Sequence, residues 1–210
     1  MAGHVADDLT LYSLTRRLRM SRPTSADDEE TAVLRAHPET RRYLPFFPEA
    51  FNVEEARAKR EERAKKENTV DFSVFLINED GTEEFVGITG LINVDWINRS
   101  CSIGILISPK YFRRGLATEA IHSMLQFAFE HEGLQMHRVG FETGDHNVQM
   151  RGWLENVAGA TLECRWREAW KLSDGKWVDM IGYGLLDREW EGGVKLALES
   201  RIKRHTGISS

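Results

Sequence analysis

The sequence predicts an α+β fold: one domain, residues 1–210, with a mixed central sheet of about seven strands. Segments with the two-residue repeat of strands alternate with segments that have the helical repeat. Three strand patterns follow one another in residues 71–108, and a helix and then another strand come next, which places a helix–strand crossover at the centre. The length of 210 residues suits one domain with a sizeable core.

Charge and cysteine content narrow the class of protein. A net charge of −5 and a pI near 5.8 argue against a nucleic-acid binder. Cys101 and Cys164 lie far apart, without metal-ligand spacing, so we expect no metal and a reducing compartment, the cytoplasm. Residues 1–13 carry acids and no apolar run, and no run of about eighteen apolar residues occurs, so we expect neither a signal peptide nor a membrane partner.

The first third of the chain predicts one strand and two helices. "RRLRMSRPT" alternates apolar and basic residues and reads as a strand after a loose N-terminus, residues 1–12. "SADDEETAVLRAH" has the acids of a helix start, with Ser25 as its cap. "YLPFFPEAF" is a proline-interrupted aromatic loop, and "VEEARAKREERAKKE" is a charged helix.

The central part predicts three strands and the most clearly marked helix. "DFSVFLINEDGTEEFVGITGLINVDW" reads as two strands with a hairpin turn at Asp80-Gly81, and "SCSIGILIS" is the third, stopped by Pro109. After Gly115, apolar residues recur at helical spacing: Ala117, Ala120, Ile121, Met124, Leu125 and Ala128.

The last third predicts three strands and two helical segments. "HRVGFET" is a strand, and "HNVQMRGWLENVAG" is a short helix that ends at Gly159. "TLECRWREAWKL" and "KWVDMIGYGLL" are two strands joined by the turn "SDGK". Residues 191–210 form a helical tail.

The stretch "YFRRGLATEA" carries the chemistry of a phosphate site at the start of the central helix. The first turn of a helix has free N–H groups and partial positive charge, which favour an anion. Gly115 allows the backbone to approach closely, Thr118 adds a hydroxyl, and Lys110, Arg113 and Arg114 add charge. A glycine turn before a helix can also be only a turn, and the stretch is neither a P-loop nor a dinucleotide fingerprint.

"FRRGLA" resembles the Q/R-x-x-G-x-G/A motif of the GNAT superfamily of acetyl-CoA-dependent acyltransferases. Other segments resemble its RimJ/RimL-like branch in the same order: "RLRMSRPTSADDEE", "RRYLPFFPEAFNVEEA", "NRSCSIGILISPKYFRRGLATEAI", "HRVGFETGDHNVQMRGWLE" and "DREW". The resemblance covers most of the chain. It implies a GNAT fold with helices on both faces of the sheet and a fourth strand that splays from the fifth.

The resemblance also implies a cofactor site for acetyl-CoA, the cosubstrate. Backbone groups of Leu106 and Ile107 would hold the pantetheine arm, with Asn147 beside it, although Asn147 can also cap the helix that follows. The pyrophosphate would bind the backbone amides of Arg113, Arg114, Gly115, Leu116, Ala117 and Thr118.

Two positions depart from the family pattern at the catalytic centre. A glutamate often found on the fourth strand is replaced by Ser102, and a serine three residues after the asparagine is replaced by Met150. The stretch "VAGA" is also one residue longer than the family usually has. Glu142 is therefore the first candidate for a general base, and Tyr183 is a candidate to protonate the thiolate or line the pocket. A solvated acid and a packed tyrosine are the respective alternatives.

Further candidates follow from residue type. Asp95, Asp145 and His146 come after Glu142 as bases. Aromatic residues of the proline-rich loop either line an acceptor pocket or pack in the core: Tyr43, Phe46 and Phe47. Trp153 is expected to pack in the core between a helix and the sheet. Both cysteines are expected to be structural, because direct transfer needs no nucleophilic thiol.

These features predict an N-acetyltransferase that moves an acetyl group directly to a primary amine, on a peptide or a small molecule. Without an evident base, an α-amine with a pKa of about 7.7–8.0 suits the site better than a lysine-type amine near 10.4. We expect a monomer or homodimer that binds no nucleic acid. The alternatives are a related enzyme with another acyl group and a CoA-binding regulatory or scaffold protein without transfer activity.

Overall fold

The computed structural model describes residues 8–44, 46–172 and 175–207, which form one mixed sheet with helices on both faces. The sheet has eight strands in the order β1-β2-β3-β4-β5-β6-β8-β7. The strands are β1 (Thr10–Tyr12), β2 (Leu18–Ser21), β3 (Val70–Ile77), β4 (Glu83–Asp95), β5 (Ser100–Ile107), β6 (Arg138–Gly144), β7 (Thr161–Lys171) and β8 (Trp177–Leu186).

Seven α-helices accompany the sheet within these residues. They are α1 (Asp28–Ala36), α2 (Pro38–Tyr43), α3 (Val53–Ala64), α4 (Leu116–Glu130), α5 (Val148–Trp153), α6 (Asp187–Glu189) and α7 (Lys195–Thr206). Two π-helical turns extend α5 and α6: Leu154–Ala158 and Trp190–Val194. A π turn holds one residue more than an α turn, which accords with the extra residue expected at "VAGA".

The sheet is divided at its centre. Neighbouring strands are antiparallel except β5 and β6, which are parallel and pair at Ser100↔Arg138, Cys101↔Val139 and Ser102↔Gly140. Both strands continue past these pairs, so they separate in the direction of the α4 N-terminus. The fourth and fifth strands of the family resemblance are β5 and β6 here, because β1 is an additional strand. The splay that the resemblance implies is therefore present.

The two faces of the sheet differ in polarity. The α4 face is apolar: Phe72 of β3 meets Phe127 of α4 edge to face, with 5.7 Å between ring centroids. The opposite face, towards α1 and α3, carries Asp71 and Ser73 of β3. Burial of large apolar side chains under α4 stabilises the fold, and the polar face leaves room for a site.

One ion pair joins α1 to α3, and another joins α3 to the polar face of the sheet. Asp28, 3% exposed, accepts two hydrogen bonds from Arg60 at 2.8 and 3.0 Å. Arg63 donates to both carboxylate oxygens of Asp71 at 2.6 Å. Thr24, rather than the predicted Ser25, caps the turn before α1, because Ser25 already lies inside a 3₁₀ turn.

The structure adds two short elements to the predicted fold. Thr10–Tyr12, expected to be loose, forms strand β1 on β2, so the sheet has eight strands and not seven. Pro38–Tyr43 forms α2 before the proline-rich loop. Residues 1–7 of the N-terminus predicted to be loose, residues 208–210 of the predicted helical tail, and residues 173 and 174 of the turn "SDGK" lie outside the described residues.

Among the described residues, no helix has the length and apolar character needed to span a membrane.

Candidate active site

One cleft of about 1130 Å³ connects the N-terminus of α4 with the polar face of the sheet. The gap between β5 and β6 forms its middle, and α1, α2 and α3 with the proline-rich loop form the far wall. The cleft brings together most residues predicted for the cofactor: Leu106, Ile107, Arg113, Gly115, Leu116, Ala117, Thr118 and Asn147. Arg114 is exposed and stands outside this lining.

The loop before α4 has the backbone geometry of an anion site. Gly115 has φ +78° and Arg113 has φ +63°, both in the left-handed region. The left-handed φ favours glycine at position 115, and a Cβ there would also lie 2.6 Å from Cδ2 of the exposed His205 on α7, whose side chain would have to shift. Backbone N–H groups in such a loop converge at the helix N-terminus and suit a pyrophosphate.

Some of the basic side chains near this loop already contact other residues of the protein. Lys110 lies 3.3 Å from Glu84, and the Tyr111 hydroxyl donates to the same carboxylate. Arg114 stacks on the Tyr111 ring at 5.3 Å. Arg113 is exposed on the cleft lining and is the cation of this loop best placed for a ligand.

The open edge of β5 offers unpaired backbone groups to a ligand. Ser108 donates its N–H to Val86 of β4 at 2.8 Å, and backbone groups of alternate residues point to the same side of a strand. Leu106 therefore directs its backbone groups to β4, whereas Ile105 and Ile107 direct theirs into the gap. Of the two residues predicted to hold the pantetheine arm, Ile107 directs its backbone groups into the gap and Leu106 does not, whereas Ile105 also does.

Asn147 and Thr118 use part of their hydrogen-bonding capacity within the protein. Oδ1 of Asn147 accepts from the Met150 N–H at 3.1 Å and caps α5, while its amide group lines the cleft. Oγ1 of Thr118 accepts from Nε1 of Trp153 at 3.0 Å, and its own hydrogen remains available to donate. The cap reading of Asn147 is confirmed, and a ligand contact is compatible with it.

Glu142, the first candidate for a general base, is a carboxylate of the cleft lining. It is exposed and lines the cleft, and no hydrogen bond or ion pair joins its side chain to another described residue. Ser102 pairs with Gly140, and a Cβ at Gly140 would lie 3.2 Å from the Ser102 hydroxyl, so both face the same side as Glu142. Ser102 and the half-buried Met150 also line the cleft.

Tyr183 lies away from the cleft. It is 1% exposed, and its hydroxyl donates to Glu155 at 2.6 Å and accepts from Arg151 at 3.3 Å. Burial and the Glu155 hydrogen bond raise its pKa. The packed-tyrosine alternative describes these contacts.

The remaining base candidates are held in local contacts. Asp95 accepts hydrogen bonds from the backbone N–H groups of Ile97 and Asn98 in the β4–β5 turn. The backbone and side-chain hydrogen bonds from Asn98 hold the pKa of Asp95 below its usual value. Asp145 lies 3.7 Å from Arg165. His146 meets the Arg42 carbonyl at 3.0 Å. All three are outside the cleft lining.

The two thiols are unsuited to nucleophilic attack. Cys101 is 3% exposed, and burial raises its pKa to about 12. Burial also raises the pKa of Cys164. A thiol attacks as the thiolate, which such pKa values disfavour at neutral pH.

Aromatic residues line the far wall of the cleft, which is the end predicted to bind the acceptor and is called the acceptor end below. Tyr43, Phe46 and Phe47 all line it, as the pocket alternative predicted. Phe46 is 54% exposed and meets Trp170 of β7 edge to face at 5.2 Å. Trp170 was not predicted, because it enters the cleft from a strand more than a hundred residues away in the chain.

Two polar residues at the acceptor end of the cleft were also not identified from the sequence. Arg35 of α1 has a buried Nε without a hydrogen-bond partner among the described residues, and Thr40 of α2 has a buried hydroxyl in the same state. Both line the cleft. Their sequence signal was hidden, since Arg35 reads as the basic last turn of a surface helix.

The sequence profile of the Acetyltransferase (GNAT) domain family matches residues 17–158. The chain belongs to the GNAT acetyltransferase family. Acetyl-CoA is the cosubstrate of this family.

Similar proteins agree with this assignment. A Bacillus subtilis (strain 168) protein named "Putative ribosomal N-acetyltransferase YdaF" is 32% identical over 111 residues, which span 50% of this chain and 56% of that protein. A T. thermophilus structure described as a "putative acetyltransferase" is 26% identical, with TM-score 0.76, over 95% of this chain and 100% of that one. A Vibrio cholerae spermidine N-acetyltransferase in complex with CoA and spermine shares the fold at 18% identity, with TM-score 0.74, over 83% of this chain and 98% of that one.

Proposed function

We propose that this GNAT protein is an N-acetyltransferase that transfers acetyl from acetyl-CoA directly to a primary amine in a ternary complex. The continuous cleft carries the proposal: it joins an anion-binding helix N-terminus, an open strand edge and an exposed carboxylate. The loop of Arg113 to Thr118 would hold the pyrophosphate, and the Ile105 and Ile107 backbone groups would hold the pantetheine arm. Acetyl-CoA supplies the activated acyl group.

The chain's own residues would position the amine and receive its proton. The acceptor nitrogen forms a bond to the acetyl carbon as the carbon–sulfur bond breaks, and one amine proton must leave. Glu142 is placed to take that proton directly or through water. Backbone N–H groups at the open edge of β5 would polarise the carbonyl, and the close approach of both reactants contributes further rate enhancement.

Acetyl-CoA binding at the α4 loop is tested with a matched pair of variants at Ala117, which is exposed and lines the cleft. Acetyl-CoA at 100 times its dissociation constant should stabilise the wild-type protein by about 2.7 kcal/mol. Ala117→Glu should lose this effect, because it adds negative charge beside the pyrophosphate, whereas Ala117→Gln should keep most of it. The measurement is chemical denaturation with and without acetyl-CoA.

Normal acetyl-CoA stabilisation of Ala117→Glu would place the site elsewhere. This pair is preferable to Gly115→Glu, since a side chain at Gly115 collides with His205 and could unfold the loop. Turnover is then measured as acetyl-CoA consumption with peptides, polyamines, amino acids and aminoglycosides. Binding of acetyl-CoA without turnover would favour the non-catalytic alternative, which Ser102 and Met150 motivate.

A further inference from the structure

The acceptor end of the cleft holds a cation without a counter-ion. Arg35 makes no hydrogen bond or ion pair with another described residue, and its Nε is buried. Its guanidinium stacks on Phe47 at 4.8 Å and on Phe51 at 5.7 Å. Aromatic faces stabilise a cation only partly, so the buried donor still lacks an acceptor.

The other cations of this wall have carboxylate partners. Arg60 binds Asp28, and Arg63 binds Asp71 through two hydrogen bonds. The remaining two cations pair with carboxylates on their own helices: Arg42 with Glu39 at 3.8 Å and Lys59 with Glu62 at 3.0 Å. Arg35 differs from these neighbours because no carboxylate of the described residues lies within ion-pair distance of it. The nearby Asp71, which favours the charged form of Arg35, is already bound to Arg63.

Burial makes this charge costly. The pKa of Arg35 lies below its usual value, first because burial disfavours the charged form and then because Arg63 is close. A guanidinium remains protonated at neutral pH even so. An anionic group placed against Arg35 would supply both the missing charge and the missing hydrogen bonds.

The structure also leaves space for a ligand in front of this wall. Asp71, Gly90 and Gly104 lie in register on β3, β4 and β5 and face the same side. A Cβ at Gly104 would meet nothing within 4 Å. Thr40, with its unpartnered buried hydroxyl, lines the same cleft and adds a second donor.

We propose that the acceptor is an amine that also carries a carboxylate, which Arg35 binds with a further hydrogen bond from Thr40. This inference rests on the proposed transferase function. The cleft lining has six basic and five acidic side chains, an unfavourable balance for a polyamine. Arg35 would thus distinguish anionic amines from cationic ones, with the amine directed towards Glu142 on the same face.

The test compares acceptors that differ in one charge but keep the same α-amine. The probes are amide-capped tripeptides that begin with serine and carry aspartate or asparagine at the second or third position, together with spermidine. We expect wild-type kcat/KM to be at least tenfold higher for an aspartate peptide than for its asparagine counterpart, which corresponds to about 1.4 kcal/mol. Spermidine should be the poorest acceptor.

Arg35→Gln should bring the aspartate-to-asparagine ratio to within about twofold of one and should improve spermidine relative to both peptides. Arg35→Lys should keep part of the preference, because it keeps the charge. Arg57→Gln is the matched control: Arg57 lies on α3, is 55% exposed and stands outside the cleft lining, so the ratio should stay at the wild-type value.

Equal kcat/KM for both peptides in the wild-type protein, or an unchanged ratio in a folded Arg35→Gln, would overturn the inference. If acetyl-CoA binds but no acceptor turns over, the transferase function fails instead. Calorimetric titration of the N-acetylated peptides into the CoA-bound protein then decides the inference independently. Tighter binding of the aspartate peptide, lost in Arg35→Gln, supports it, and equal binding contradicts it.

Discussion

Glu142 is the residue whose role most affects the chemistry of transfer. It is exposed and has no protein partner among the described residues, so it is free to reach an amine or a water. Exposure also means that little in the protein holds it in one orientation. An acceptor amine that is already partly neutral at pH 7 would depend least on Glu142 as a base.

Glu142→Gln separates a general base from a bystander. If the ionisation of the amine itself controls the rate, the change should lower kcat/KM less than about tenfold, or 1.4 kcal/mol. The pH at which the rate levels off should then follow the pKa of each acceptor. The measurement is kcat/KM against pH with acceptors of different pKa.

A loss of about a hundredfold or more, with an inflection that stays at one pH across acceptors, would instead identify Glu142 as the base. Thermal denaturation of Glu142→Gln with and without acetyl-CoA confirms that the variant is folded and binds the cosubstrate.

The sequence proposed the loop from Arg113 to Thr118 because glycine, charge and a helix start occur together in one contiguous motif. The structure places this loop, except for Arg114, in the cleft lining, and its role in binding stays a prediction. Arg35 and Trp170 were not found, because their roles depend on which distant elements meet over the β5–β6 gap. Tyr183 was proposed from residue type alone, and the alternation of β8 turns its hydroxyl to Glu155 instead.

Helix α4 is fixed at its functional end by a buried carboxylate. Glu119, 1% exposed, accepts from Arg17 and Thr15 of the β1–β2 turn. Arg17 also donates to the carbonyl of Arg114 at 3.4 Å. The β1–β2 turn therefore positions the loop that we propose to bind the pyrophosphate.

One turn further along α4, a histidine should make stability depend on pH. His122 is 0% exposed and packs against Trp190, with its Nε2 3.6 Å from Glu199, longer than a hydrogen bond. Burial lowers its pKa, an effect that outweighs the opposing effects of Glu199 and Glu130. The folded protein thus resists protonation that the unfolded chain accepts.

The unfolding free energy should consequently fall as the pH drops below about 6.5, the ordinary histidine pKa, by at most about 1.4 kcal/mol per pH unit for this one proton. Above that pH the effect is absent, because both states are neutral. His122→Leu should flatten the profile between pH 7 and 5 in urea titrations. His205→Gln, at an exposed histidine, should not, and equal flattening in both variants would contradict the assignment.

At the scale of the whole molecule, the sheet consists of two halves joined by three residue pairs of β5 and β6. The amides of Ile105 and Ile107 face the gap, whereas Leu106 between them faces β4. Amide exchange measures such differences residue by residue, because unpaired amides open at little free-energy cost.

Without ligand, Ile105 and Ile107 should exchange on the order of 100-fold faster than Leu106, and acetyl-CoA should slow them. Exchange followed by NMR tests this, with Ala117→Glu as the variant in which acetyl-CoA should have no effect. Similar exchange at all three amides would mean that the β5 edge is not open to the ligand.

Most of the fold could be predicted, since long periodic segments specify their own structure. Strand β1 and helix α2 could not, because three and six residues are too few for a periodic signal. β1 forms through its pairing with β2, and α2 through its cap at His37 and its neighbours. The splay of β5 from β6 came from family resemblance and not from any local pattern.

The contact between His205 and Gly115 has a practical consequence for protein engineering. It brings the end of α7 against the loop proposed to bind pyrophosphate. A fusion partner joined directly after Gly207, the last described residue, would begin three positions beyond His205. An affinity tag placed at that point would therefore start beside the loop proposed to bind pyrophosphate, so the acetyl-CoA affinity should be measured with the tag and again after its removal. Purification through a cleavable amino-terminal tag avoids this interference.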